Sequence, residues 1–463
     1  MINYRTLAIA AAASAMSVAP FAHAIGLEYY DVWTVFVGED GYGGGGTDIE
    51  YYGTAEGVQG WAIGTTACNS GNIVAPWYGG TTEVPVIGQQ FYRYSDGRFE
   101  MIGLSWLKHS FCAVSEPGCG TCTSTGCDTL GIGCADTYWA DLNANVDAPR
   151  VAINATTGEY TLPFAIAPSG PSTIRARVQI NPSDIDPAQN PGALYWVEGQ
   201  YVEIGESLWG TQLNNATSRN VRFTSTTQCF GVSPSDGQVP AVTRWADVDP
   251  NATVVEVLTD EIGQGGTGVV SGLLHAGHAA TDNGNGTWHY EFAVHNQVSH
   301  RSVGSFSVPV PDCITISNVE ARMPQYHSGE TITNVPWTWT HTDGALTFST
   351  PAHTTANNNT GPAIRWGTLA NFRFDADAAP VYGDASIGLW RDGPGAGSHL
   401  ITVKVPECED GCPADLNGDG LIDVDDILIA IGGFGTPAGD VNGDGIGDVN
   451  DILIIIGAFG SPC

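Results

Sequence analysis

Short runs of alternating apolar and polar residues fill the chain from residue 25 to residue 405. Gly, Pro, Asn and Asp separate them, as at Asp96-Gly97 and at Asp282-Asn283-Gly284-Asn285-Gly286. Side chains two apart on a strand share a face, so these runs predict half-buried strands joined by tight turns. Examples are residues 27–38, 60–66, 160–166, 173–180, 193–204 and 220–225, then 253–260, 287–296 and 399–405. No stretch before residue 405 keeps an apolar period of about 3.6 residues for three turns. The pattern predicts a mainly β chain with one or two antiparallel β-sandwich domains, at 25–240 and 241–405, with a boundary near 235–242.

Alternation also assigns faces. Trp288, Tyr290, Phe292 and Val294 share one face of their run, and His289, Glu291, Ala293 and His295 share the other. With His275 and His278 on the opposing strand, this hairpin carries a minor expectation of metal binding or acid–base work, set against a solvated sheet face. Trp77, Tyr78, Trp337 and Trp339 are the residues most suggestive of flat sugar-stacking surfaces, the rival being core packing.

Composition narrows the function classes. Of 463 residues, 60 are Gly and 26 Pro, which disfavours a helical bundle. Lys plus Arg number 16 against 49 Asp plus Glu, a net charge of −33 that repels nucleic acid and anionic lipid. Residues 1–24 read as a secretory signal, with Arg5, an apolar run and Ala22-His23-Ala24, so a secreted or cell-surface protein without a membrane span is expected. All eleven Cys follow it, and in an exported chain they read first as disulfides. Cys112, Cys119, Cys122, Cys127 and Cys134 form a dense loop whose lesser reading is a zinc site using Cys119, Cys122 and His109. An odd count leaves at least one thiol free or bonded to another chain.

The most specific chemistry lies in the tail. Two twelve-residue segments repeat 25 residues apart. Loop positions 1, 3, 5, 9 and 12 are Asp415, Asn417, Asp419, Asp423 and Asp426 in the first, and Asp440, Asn442, Asp444, Asp448 and Asp451 in the second. Gly420 and Gly445 stand at position 6, and the position-7 carbonyls belong to Leu421 and Ile446. Calcium takes six to eight hard oxygens at about 2.3–2.6 Å, so this spacing predicts two calcium ions. Residues 409–463 hold eleven acids and no Lys or Arg, so metal should be coupled to folding. Cys412 and Cys463 bracket the segment, and a disulfide between them is expected.

Residues 409–463 resemble a dockerin module, built from two calcium-loop-plus-helix repeats. The resemblance covers about 50 residues and implies a small all-α module that docks onto a cohesin-like partner, as in assemblies of secreted polysaccharide-degrading enzymes. Positions 10 and 11, often Ser-Thr in such modules, are Val424-Asp425 and Val449-Asn450 here. The apolar stripes Ile427, Leu428, Ile431, Phe434 and Ile452, Leu453, Ile456, Phe459 are expected to pack together. Ile429, Ala430, Ile454 and Ile455 are then left as surplus apolar surface for a partner or for the protein's own β domain.

The leading expectation is a secreted modular protein whose calcium module anchors a β-rich binding or structural body, with carbohydrate among its ligands. The alternative is a secreted polysaccharide hydrolase carried by the same module, although residues 25–405 show no catalytic motif. A metal or redox enzyme ranks third.

Overall fold

The computed structural model describes residues 27–40, 46–408 and 413–461. The expected signal segment, most of the 41–46 glycine loop, Cys412 and Cys463 lie outside them. The chain is mainly β, and every strand pair is antiparallel.

Three five- to six-stranded sheets organise the body. The first runs in the order Gln228–Gly231, Ala216–Ser225, Leu194–Val202, Val86–Ser95 and Arg98–Leu104, with Lys108–His109 pairing on Val86–Ser95. The second runs Thr253–Ile262, Val269–Asp282, Trp288–Asn296, Thr368–Ala376 and Ile316–Arg322. The third runs Thr338–Thr342, Ala345–Ser349, Val303–Pro309, Pro380–Leu389 and Ser398–Pro406. The hairpin expected at Asp96-Gly97 forms, with Ser95 opposite Arg98. Both turn residues have positive φ, 51° and 80°, as a tight hairpin turn requires.

Side-chain alternation explains the layering. Tyr290, Phe292 and Val294 pack with Phe306, Phe348, Ile387 and Val403, joining the second and third sheets into a sandwich. On the first sheet, Phe91, Val197 and Tyr195 point the opposite way, onto Trp61, Ile63, Val178 and Ile180 of a smaller sheet. Its remaining face, through Tyr92, Phe99 and Trp196, packs on Ala279, Ala293 and Leu369 of the second sheet. The first and second sheets therefore meet face to face through their central strands, whose two faces are both covered. This corrects one expectation. The face bearing His289, Glu291, Ala293 and His295 is an internal seam and not a solvated surface. Residues 160–166 are not a strand either, and Pro163 within them lacks the N–H a ladder needs.

The Cys-rich loop is braced by Cys68–Cys119, Cys112–Cys127 and Cys122–Cys134. Cys119 and Cys122 belong to different bridges, which removes the zinc reading. A fourth bridge, Cys313–Cys408, ties the chain after the last sandwich strand to the exposed turn between Val303–Pro309 and Ile316–Arg322, and Cys229 is a buried free thiol.

After the body come two short helices, Val424–Gly432 and Val449–Ala458. They have their own small core of Ala414, Ile422, Ala430, Val441 and Ile455, with Ile427 and Ile452 against it. Ala430 and Ile455 are thus core residues, not the surplus surface expected for them. The expected core residues Leu428, Ile431, Phe434, Leu453, Ile456 and Phe459 are exposed instead, together with Ile429 and Ile454. The helices meet on the side bearing Asp426 and Asp451, which places residues 1 and 4 positions further along inside. Among the described residues no helix is long and apolar enough to cross a membrane.

Candidate calcium loops and an internal polar seam

Backbone hydrogen bonds shape the two tail loops identically. Asp415 accepts from Gly418, Asp419 and Gly420 N–H at 2.8, 3.3 and 2.9 Å. Asp440 accepts from Gly443, Asp444 and Gly445 at 2.8, 3.1 and 2.7 Å. The position-12 carboxylates do the same from the other end. Asp426 takes Leu416, Asn417 and Asp423 N–H, and Asp451 takes Val441, Asn442 and Asp448 N–H. Asp423 and Asp448 cap the following helices, each within a reciprocal capping box. Gly420 and Gly445 adopt φ of 84° and 97°, a left-handed turn that a side chain would strain. The backbone donors from Asp423 and Asp448 lead in holding the Asp426 and Asp451 carboxyls below their usual range. Each loop also bonds the far helix's end. Ile422 pairs with Gly460 and Ser461, and Gly447 pairs with Gly435 and Thr436.

This chemistry suits a hard cation, since the donor set is all oxygen and acid-rich. The Asn417, Asp419 and Asp423 side chains and the Leu421 carbonyl, with their counterparts Asn442, Asp444, Asp448 and Ile446, fill the remaining loop positions. Among the described residues no group of three or more His, Cys, Asp or Glu is disposed to hold a metal by itself. The loop carboxylates are therefore not gathered around one point, and backbone N–H groups engage both oxygens of Asp415, Asp426, Asp440 and Asp451.

The seam between the first and second sheets is the other concentration of chemistry. Glu291 is 2% exposed and accepts from Arg98 Nε at 2.9 Å across the seam. His289 bridges Glu291 at 3.3 Å and Asp375 at 2.7 Å. The bond to Glu291 is the main cause that raises the His289 pKa. Arg373 pairs with Glu320, which also lies 3.4 Å from Arg98. A cleft of about 430 Å³ opens beside this network, lined by Tyr94, Asp249, Asn251, Asn283, His289 and Glu291. Two of its acids are already engaged, and the third, Asp96, is exposed and accepts from Ser95 Oγ. Asp249 accepts from Tyr94 Oη and Asn251 N–H, and Glu291 from Arg98.

Deeper in the seam, Glu198 accepts from Tyr92 Oη at 3.1 Å and Ala241 N–H at 2.7 Å. Burial pushes its carboxyl up to about 7. His295 Nε2 lies 4.0 Å from Glu198, and His275 sits directly opposite His295 in the sheet register. Burial lowers the pKa of both imidazoles, that of His275 to about 4. Sequence alternation placed His289, Glu291 and His295 on one face correctly. It did not separate out His278, which lies across from Phe292 on the sandwich side and accepts from Lys404 N–H. Nor did it reveal Glu198 or Arg150, which arrive from distant strands and loops. The aromatic expectations divide. Trp77 and Trp337 are buried, while Tyr78 and Trp339 are exposed.

No protein-family model matches the chain, and no curated protein matches it. Two solved structures are weakly similar. "Biofilm associated protein - B domain" is 9% identical over 81% of this chain and 84% of its own, with a TM-score of 0.13. "Biofilm associated protein - BSP domain" is 8% identical over 92% and 65%, with a TM-score of 0.11. At such scores neither likeness carries fold or function.

Proposed function

We propose that this chain is an exported modular protein in which a calcium-stabilised, dockerin-like tail attaches a disulfide-braced β body that serves as a binding or structural unit. The observation that carries this reading is the duplicated bonding of Asp415 and Asp440 at position 1 and of Asp426 and Asp451 at position 12. Two of those carboxylates organise the backbone of each loop. The segment is acidic and has no Lys or Arg, so bound cations would offset the repulsion among its carboxylates. Two calcium ions supply that charge, held by the twelve loop residues named above. The partner is a cohesin-like or other protein that accepts the exposed apolar helix faces.

The body is read as a binding or structural unit in preference to a hydrolase. A general acid must be free to give up its proton. Of the acids lining the cleft beside Tyr94, Asp249 and Glu291 are instead held by Tyr94, Asn251 N–H and Arg98, and Asp96 stands exposed with a bond from Ser95 Oγ.

Titration calorimetry of the full chain with calcium tests the reading. Two equivalents of uptake are expected, and Asp415→Ala with Asp440→Ala should abolish them. Absence of uptake by the unaltered protein would remove the attachment role.

A further inference from the structure

The cleft of about 430 Å³ beside Tyr94 is built from two adjacent rows of the second sheet and a hairpin of the first. Ala279, Glu291 and Arg373 stand opposite one another on three strands, and Thr281, His289 and Asp375 form the next row. Side chains two apart on a strand share a face, so both rows belong to one floor. Tyr94, Asp96 and Gly97 of the hairpin line another side, with Asp249 and Asn251 from the segment before Thr253–Ile262. Gly97, Ala279 and Thr281 are small and leave the room. Small-molecule sites measure about 300–1,000 Å³, so the volume suits a compact organic ligand.

The lining is held in place by the protein's own bonds. Glu291 is bonded to Arg98 across the seam at 2.9 Å and to His289 at 3.3 Å. Arg373 pairs with Glu320, and Asp249 accepts from Tyr94 Oη at 3.2 Å. Side chains fixed in this way spare a ligand the cost of ordering them.

The same bonds narrow the ligand's chemistry. Glu291, His289 and Arg373 each face an opposite charge within the protein. Asp96 and Asp249 accept from neutral donors, namely Ser95 Oγ for the first and Tyr94 Oη and Asn251 N–H for the second. An anion would meet these two carboxylates. A metal ion needs several hard ligands around one point, and the described residues offer no group of three or more His, Cys, Asp or Glu for it. An amine would answer the carboxylates and oppose the Arg373 guanidinium, and the chain itself brings an ammonium here, with Lys404 Nζ on the Asn251 carbonyl at 2.8 Å. An apolar molecule would desolvate charged groups without replacing their hydrogen bonds. A hydroxyl donates and accepts at once. A ring bearing several hydroxyls can give to Asp96 and Asp249 and take from Arg373 and the Asn251 amide, with Tyr94 and Ala279 as apolar surface for its faces.

We propose that this cleft is a binding site for a neutral saccharide, held by Asp96, Asp249, Thr281 and Arg373. The inference rests on the reading of the body as a binding unit and is independent of the calcium loops.

Saturation-transfer difference NMR of the full chain with cellobiose, maltose, lactose, xylobiose, mannobiose and diacetylchitobiose tests it. At least one of these sugars is expected to receive saturation. Thr281 is exposed, so Thr281→Trp fills the cleft without removing a core contact, and it should abolish the signal. Asp96→Asn suits the left-handed turn position, φ 51°, and should weaken binding about tenfold through loss of a charge-assisted hydrogen bond. No transfer to any of the sugars overturns the proposal, as does a signal that survives Thr281→Trp. Spermidine binding more tightly than every sugar also overturns it and makes the cleft an amine site. If Thr281→Trp does not fold, Asp96→Asn decides, and an unchanged affinity counts against the site. Calorimetric calcium uptake by the same samples reports on the tail separately, so failure of the cleft leaves the attachment role standing.

Discussion

Arg98 Nε of the first sheet meets Glu291 Oε1 of the second at 2.9 Å, and His289 holds the other oxygen of the same carboxylate. The pair crosses the seam between residues 193 apart in sequence. Its partners are almost fully buried, so deleting one member strands a charge. Arg98→Met should therefore cost about 3 kcal/mol in urea denaturation. Arg98→Met with Glu291→Gln should cost clearly less than the sum of the two single changes. Additive effects would show that the two sheets do not use this contact.

Buried titrating groups in the seam act in opposite directions with pH. His275 has its pKa lowered by burial from 6.5 to about 4, so the unfolded chain binds the proton first. Its contribution is present above pH 6.5 and is lost as pH falls toward 4. Glu198 is raised from 4.5 to about 7, so its contribution is present below pH 4.5 and is lost as pH rises toward 7. Relative to His275→Gln, the unaltered protein should lose up to about 3 kcal/mol on acidification through the first window. Relative to Glu198→Gln, it should lose stability on alkalinisation through the second. Urea midpoints recorded against pH for the three proteins check both signs, and parallel curves would refute them.

Periodicity was a good guide wherever one residue's neighbours decide its face. Trp288 to His295 alternate as their polarity demands, and the Asp96-Gly97 turn follows from local backbone chemistry. What lies against a face is a tertiary fact. A row of His and Glu looks solvated until a second sheet with Gln90, Glu198 and Gln200 covers it. Gln and Glu on that sheet gave no warning, because polar alternation also marks an exposed strand. The turns and helix caps of the tail loops were legible because Asp and Gly spacing is local, whereas the inward face of their helices depends on which side the paired repeats turn together.

The Cys313–Cys408 bridge closes a loop with a sequence separation of 95. Cross-linking a loop of that length restricts the unfolded chain by about 4 kcal/mol. Replacing both cysteines by Ser should therefore lower stability by about that amount and leave the folded sheets intact. Cys229 provides an internal control, since burial raises its thiol pKa. It should react with a thiol reagent only on unfolding, and the double variant should bring that reaction to lower urea. An unchanged reactivity midpoint would contradict the assigned role of the bridge.

The last tail helix, Val449–Ala458, makes opposite predictions for two nearby residues. Ile455 is fully buried and Leu453 is 58% exposed, although both are large aliphatics two positions apart. Ile455→Ala should cost about 3 kcal/mol through lost burial and the cavity left behind. Leu453→Ala should stay within about 0.5 kcal/mol, as most exposed sites do. Leu428 is equally exposed on the first helix and should behave like Leu453. Helical circular dichroism of the full chain, melted with calcium present, separates the cases. If Leu453→Ala destabilised the tail as much as Ile455→Ala, the helices would pack on the face that the apolar stripe alone suggested. The exposed rows Val424, Leu428, Ile431 and Val449, Leu453, Ile456 would then be core, and no apolar face would remain to receive a partner.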